Sequence, residues 1–314
     1  MKITVLDAAT LGDDLSLTPL SALGEITVYR STAPCEVEAH LGDCEVAVIN
    51  KIKLGEHNLA NNRALKLICI AATGYDNVDV EYCRGRGIGV CNVVGYSSAS
   101  VAQFTVAAAL SLATNLQAFC AQVNLGDYTR GGVANSLTPV YHEIAGKTWG
   151  IVGLGNIGKS VAAVAKALNC RVIAHKREKI PDYECVDIDT LCRESDIISV
   201  HTPLTPSTRG IINAQRLSEM KSSAILINAA RGAVIDEEAV TNAVLRGQIA
   251  GFATDVYSAE PLSDFSPIYS LRGRSNVILT PHMAWGAYEA RERCLSEICA
   301  NIKAFFGGSP RNLL

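Results

Sequence analysis

Three ionisable residues stand just past apolar runs in the second half of the chain. Arg231 follows Ile225-Leu226-Ile227-Asn228-Ala229-Ala230, Glu260 follows Asp255-Val256-Tyr257-Ser258-Ala259, and His282 follows Ile278-Leu279-Thr280-Pro281. Singly, each has an ordinary reading: a surface arginine at a strand end, a loop carboxylate, a turn histidine with its hydrogen bond satisfied. Together they fit one reaction. Hydride addition to a ketone leaves charge on the carbonyl oxygen, and a proton donor with a pKa near neutrality must stand there, which suits histidine. A carboxylate beside the imidazole favours its charged form and fixes the ring. A guanidinium fork holds a substrate carboxylate at two points.

Hydride transfer needs a carrier, and the chain has a place for one. Thr148-Trp149-Gly150-Ile151-Val152 reads as a buried strand that breaks into Gly153-Leu154-Gly155-Asn156-Ile157-Gly158, a Gly-x-Gly-x-x-Gly loop. A helical pattern over Lys159–Leu168 and a second strand over Cys170–Ala174 follow. This order suits a dinucleotide. Gly153 permits the tight turn, Gly155 lets backbone N–H groups approach a pyrophosphate, and Gly158 lets helix and strand pack closely. The helix N-terminus adds unpaired N–H groups and the positive end of its dipole.

The elements that must position these groups alternate between strand and helix. Strands are expected at Ile197–Val200, Ala224–Asn228, Ile249–Thr254 and Val277–Leu279, with a helix over Asp236–Arg246. Alternating βα units imply a parallel sheet covered on both faces, with ligands at the carboxyl ends of its strands. Upstream, Lys2–Leu6, Ile26–Tyr29, Val46–Ile49, Leu67–Ile70 and Gly89–Cys91 read as the strands of a smaller doubly wound domain. Val101–Leu116 reads as a buried helix. The amphipathic segment Ala287–Phe306 is expected to return to the first domain. The fold class is therefore α/β, with two doubly wound parallel-sheet domains: 1–99 with 287–314 for substrate, and 100–286 for the dinucleotide.

Composition sets outer bounds. The 314 residues are 48% hydrophobic and 19% charged, with a net charge of −3. That fits a compact enzyme and gives no reason to expect nucleic acid. The start lacks a signal-peptide pattern, and no uninterrupted apolar span suggests a membrane segment. The 11 cysteines show no metal-ligand spacing and lie mostly in apolar runs, as buried thiols of a reducing cytoplasm do. No metal is expected.

Several runs resemble the D-isomer-specific 2-hydroxyacid dehydrogenase family. They are Ala72-Thr73-Gly74-Tyr75-Asp76-Asn77-Val78-Asp79, Ser100-Val101-Ala102-Gln103, the Gly153–Gly158 loop, Asn228-Ala229-Ala230-Arg231-Gly232, Asp255-Val256 with Glu260-Pro261, and Thr280-Pro281-His282-Met283-Ala284-Trp285. They keep the family's order over about residues 45–310. Val94-Gly95-Tyr96-Ser97 and the run from Pro281 to Arg291 look most like the glycerate dehydrogenase (hydroxypyruvate reductase) branch. The resemblance implies a Rossmann-type nucleotide domain and a flavodoxin-like substrate domain. It implies that Arg231 binds the substrate carboxylate and carbonyl, that His282 is the acid/base, and that Glu260 is its partner. Thr73, Gly74 and Tyr75 would offer backbone N–H groups to the carboxylate. Asn156 and Ile157 would touch the pyrophosphate, Thr202, Pro203 and Thr208 would flank the adenosine, and Ala229, Asp255 and Ala284 would lie along the nicotinamide. A homodimer paired through the nucleotide domain is expected.

One position departs from the family pattern. NAD-preferring members carry an acidic residue at the end of the second strand, to bond the ribose hydroxyls. Here Lys176 stands there, followed by Arg177. Either the pair attracts a 2′-phosphate, which favours NADP over NAD, or it is a solvated loop. The leading expectation is an enzyme reducing a small 2-keto acid, hydroxypyruvate or glyoxylate, with D-lactate or another D-2-hydroxy acid as the alternative. The same fold also serves dinucleotide-sensing corepressors, an alternative of another class.

Overall fold

The apolar runs of the first hundred residues become five parallel strands. In the computed structural model, which describes residues 1–178 and 180–314, these are β1 (Lys2–Val5), β2 (Glu25–Val28), β3 (Val46–Ile49), β4 (Leu67–Ile70) and β5 (Gly89–Cys91), in the order β2-β1-β3-β4-β5. Every residue of β3 and β4 is buried, because helices cover both sheet faces. Edge strand β2 leaves Glu25, Thr27 and Val28 exposed. The helix Tyr288–Phe306 packs on β4 through a face that includes Leu295, Ile298, Cys299 and Ile302. The chain divides into two units: Met1–Ser97 with Gly286–Leu314, and Ser98–Trp285.

The second unit holds seven parallel strands: β6 (Thr148–Val152), β7 (Arg171–His175), β8 (Glu184–Cys185), β9 (Ile197–Val200), β10 (Ile225–Asn228), β11 (Gly251–Thr254) and β12 (Val277–Leu279). Their order, β12-β11-β10-β9-β6-β7-β8, reverses between β6 and β9. Side chains alternate between two cores. Ile198, Leu226 and Phe252 face one, while Trp149, Ile197 and Ile227 face the other. Trp149 is fully buried and places its Nε1–H 3.0 Å from the Ser199 hydroxyl.

Three details differ from the sequence reading. The glycine-loop helix begins earlier, at Asn156, so Gly158 lies in its first turn. The two-residue strand β8 has no apolar run to announce it. The helix expected over Val101–Leu116 runs Ser98–Ala113, and Asn115, at φ 53°, turns the chain into a second helix, Leu116–Asn124. No single helix among the described residues is long and apolar enough to cross a membrane.

His201 follows β9. Both its ring nitrogens are shielded from solvent and lack a hydrogen-bond partner among the described residues. Burial pushes its pKa down to about 3. The imidazole is therefore neutral in the folded chain across a range where the unfolded chain takes up a proton. Stability is fully present above the unfolded value near 6.5 and falls as pH drops toward 3, by at most about 1.4 kcal/mol per pH unit. Urea unfolding at pH 7 and pH 5 checks this: His201→Phe is expected to lose less stability on acidification than the parent, and equal losses would refute it.

Candidate active site

At the end of β6 the backbone makes a turn that only glycine accommodates well. Gly153 has φ +97°, and a Cβ there would lie 2.7–2.8 Å from the backbone of His201 and Thr202. A Cβ on Gly158 would come within 2.2 Å of the Gly153 carbonyl oxygen. The helix Asn156–Ala167 can therefore start directly against the strand end. Its N-cap is Gly155, and no side chain caps it. The amides of the first turn, which includes Asn156 and Ile157, and the positive end of the dipole thus suit an anion. These residues fit a dinucleotide pyrophosphate.

Other expected cofactor residues follow β9 and β7, the two strands that flank β6. Thr202, Pro203 and Thr208 belong to the segment after β9. The Thr208 hydroxyl closes that segment, donating to Pro203 O at 2.6 Å and accepting from Thr205 N at 2.8 Å. Beyond β7, the exposed Lys176 and Arg177 come directly after His175, whose Nδ1 lies 3.2 Å from Val186 O.

The three ionisable groups come from β10, β11 and β12, which are neighbours and parallel. All three strands end on one edge of the sheet. After β10, buried Asn228 braces the turn: its Oδ1 accepts from Ala230 N at 3.1 Å and its Nδ2 donates to Arg231 O at 3.0 Å. A Cβ on Gly232 would stand 2.0–2.4 Å from the backbone of Tyr257 and Ser258. The Arg231 turn therefore rests directly on the segment that carries Glu260. Glu260 Oε1 accepts from Tyr257 N at 3.1 Å, and Oε2 lies 2.6 Å from His282 Nδ1. The His282 and Glu260 side chains are 23% and 31% exposed.

His282 itself has φ 54°, and its N–H donates to Thr280 O at 3.1 Å. The backbone holding it is fastened to Asp255, which is 2% exposed. That carboxylate accepts from Thr280 Oγ1 at 2.6 Å, Met283 N at 2.8 Å and Ala284 N at 2.9 Å. Tyr257 adds a hydrogen bond from its hydroxyl to Thr280 O at 2.9 Å, and Ser100 donates to Ala284 O at 2.5 Å. Burial, with the nearby charges of Asp255 and Glu260, pushes the Tyr257 hydroxyl up to about 12, so it stays a donor. Sequence reasoning placed Asp255 and Ala284 beside the nicotinamide and missed their mutual bond, as it missed Asn228 and Tyr257. Asp255 stands straight after an apolar strand, and that was the only signal. Ala229, between Asn228 and Ala230, is half-buried at the same edge. Thr73, Gly74 and Tyr75 belong to the other unit, where Thr73 Oγ1 donates to Val93 O at 2.8 Å and Tyr75 is exposed.

Residues 106–284 match the model of the D-isomer specific 2-hydroxyacid dehydrogenase NAD binding domain. This chain belongs to the D-isomer-specific 2-hydroxyacid dehydrogenase family. It is similar along its whole length to a glycerate dehydrogenase of Methylorubrum extorquens, at 36% identity over 100% of this chain and 98% of that one. A hydroxypyruvate reductase of Blautia hydrogenotrophica is 34% identical, covering 100% and 99%. Among solved structures, an acyclic imino acid reductase in complex with NADPH and D-Arg superposes with a TM-score of 0.87 at 30% identity, covering both chains fully. This dehydrogenase is thus an NAD(P)-linked oxidoreductase of 2-keto and 2-hydroxy acids.

Gly232→Ala tests whether close approach sets the site. The new methyl would meet backbone, so the Arg231 turn must move away from Tyr257. A stability loss of about 1–3 kcal/mol in urea unfolding is expected, together with a lower kcat/KM. Full activity and stability would show that the approach is dispensable.

Proposed function

We propose that the protein reduces hydroxypyruvate, with glyoxylate as a second substrate, to the D-2-hydroxy acid, and that NADPH is the preferred carrier. The Glu260–His282 hydrogen bond, 2.6 Å at Nδ1, carries the assignment of roles. With Nδ1 facing the carboxylate, Nε2 is the nitrogen that gives its proton to the substrate oxygen. Glu260 fixes the ring and balances the imidazolium charge when it forms. Arg231 grips the substrate carboxylate and carbonyl, and Thr73, Gly74 and Tyr75 add backbone donors from the first unit. A bound nicotinamide supplies the hydride in reduction and accepts it in oxidation. Asn156, Ile157 and the glycine loop hold the pyrophosphate, Thr202, Pro203 and Thr208 flank the adenosine, and Ala229, Asp255 and Ala284 border the nicotinamide. Full-length similarity to the glycerate dehydrogenase and hydroxypyruvate reductase supports the substrate.

The NADPH preference rests on two exposed cations, Lys176 and Arg177, following β7 where a carboxylate would hold ribose hydroxyls. We further assign a homodimer. The segment around the helix Leu116–Asn124 leaves Leu116, Val123, Leu125, Leu137, Val140 and Tyr141 exposed, as an interface with a second copy would require. The eleven free cysteines, eight of them buried, suit a reducing cytoplasm.

Two measurements test the reading. His282→Ala is expected to lower kcat with hydroxypyruvate by about 10²–10⁴-fold while NADPH fluorescence titration shows unchanged binding; an unaltered kcat would remove His282 from the chemistry. The parent should show the higher kcat/KM with NADPH, and Lys176→Asp should shift the preference to NADH. A parent enzyme that strongly favours NADH would overturn the cofactor assignment.

A further inference from the structure

Asn92 meets Asn301 and Asn312, far away in sequence, behind the Thr73-Gly74-Tyr75 loop. Asn312 Nδ2 donates to Asn301 Oδ1 at 3.0 Å, and Asn301 Nδ2 donates to Asn92 O at 3.0 Å. Asn92 Nδ2 then donates to Thr73 O at 2.7 Å, and Asn92 N donates to Asn312 O at 3.3 Å. The two backbone carbonyls fix the direction of the chain. A carbonyl oxygen only accepts, so Asn92 and Asn301 must each turn an NH₂ toward one, which leaves Asn301 Oδ1 for Asn312.

The setting makes a packing role a poor explanation. Asn301 is fully buried on the helix Tyr288–Phe306, beside Ile298 and Ile302. Asn92 is 5% exposed. Amides in such places stabilise little over apolar residues, since burying them costs about as much as their bonds return. Their effect is directional. Within one planar peptide unit, C=O and N–H point in opposite directions. Holding Thr73 O therefore aims the Gly74 N–H the opposite way. Thr73 Oγ1 to Val93 O, 2.8 Å, and Val93 N to Ala72 O, 3.0 Å, hold the loop's entrance.

We propose that Asn92, Asn301 and Asn312 are positioning residues for substrate: a buried amide relay that sets the aim of the Gly74 amide at the substrate carboxylate. This rests on the reading above that the loop binds that carboxylate. The relay acts on substrate affinity and leaves the cofactor unit alone.

Steady-state kinetics of the full-length enzyme with hydroxypyruvate test it. Asn92→Asp puts an acceptor against Thr73 O. It is expected to raise KM for hydroxypyruvate by about 10-fold or more, with KM for NADPH unchanged. Asn312→Gly serves if that variant does not fold. Position 312 has φ +53°, which glycine adopts freely, so the backbone is kept while the amide is lost. It is expected to raise the same KM by about 3-fold and to speed hydrogen exchange at Val93, whose N–H is bonded to Ala72 O at the loop's entrance. An unchanged hydroxypyruvate KM and Val93 exchange in Asn312→Gly, or equal losses in both KM values, would overturn the relay. Gly74→Pro removes the loop donor itself. If it raises KM while the relay variants do not, the relay falls and the loop reading stands; if it has no effect, both fall.

Discussion

The site depends on one constraint: β10, β11 and β12 are adjacent, parallel and in register, with Asn228 beside Thr254 and Thr254 beside Leu279. Parallel strands deliver every exit to the same sheet edge. Arg231 and His282 each stand three residues past their strand, and Glu260 reaches the same edge on a longer excursion. A slip of one residue would exchange the faces of a strand and carry its exit away. The residues at the exits of these strands are accordingly braced. Asn228, Thr254 and Asp255 are all at most 2% exposed, and each is bonded to backbone beyond its own position.

Magnitudes indicate what the bracing achieves. Hydrogen bonds to a charged group contribute about 1.5–3 kcal/mol each, while burying a carboxylate costs several kcal/mol. The three bonds to Asp255 roughly offset its burial. Its net effect is to hold the left-handed backbone at His282 and keep the imidazole against Glu260. His282 and His201, which follow β12 and β9, differ sharply. His282 has a carboxylate at 2.6 Å. His201 has no partner among the described residues and stays neutral.

Much of this was legible in the sequence, and what was not has a physical reason. Four-residue apolar runs such as Val46–Ile49 and Leu67–Ile70 stand out because both sheet faces are covered. The strand Glu184–Cys185 does not, since it lies at a sheet edge and pairs on one side only. The break at Asn115 turns on a single left-handed residue in an otherwise helical stretch. Arg231, Glu260 and His282 could be read from their types and their places after strands. Asp255 as a brace could not, because its partners lie 25–29 residues away and are mostly backbone. The contact between Asn301 and Asn92 spans 209 residues. No local pattern records such a pairing.

The first unit is discontinuous, and this has a consequence for biosynthesis. Its sheet is encoded by residues 1–97, but the helix Tyr288–Phe306 that covers β4 is translated only after the whole second unit. A growing chain therefore carries an uncovered apolar sheet face while nearly two hundred residues emerge behind it. The second unit, contiguous in sequence, is able to close first. Maturation of the first unit then waits until residues 288–306 have been made, and its apolar sheet face stays open to aggregation over that interval.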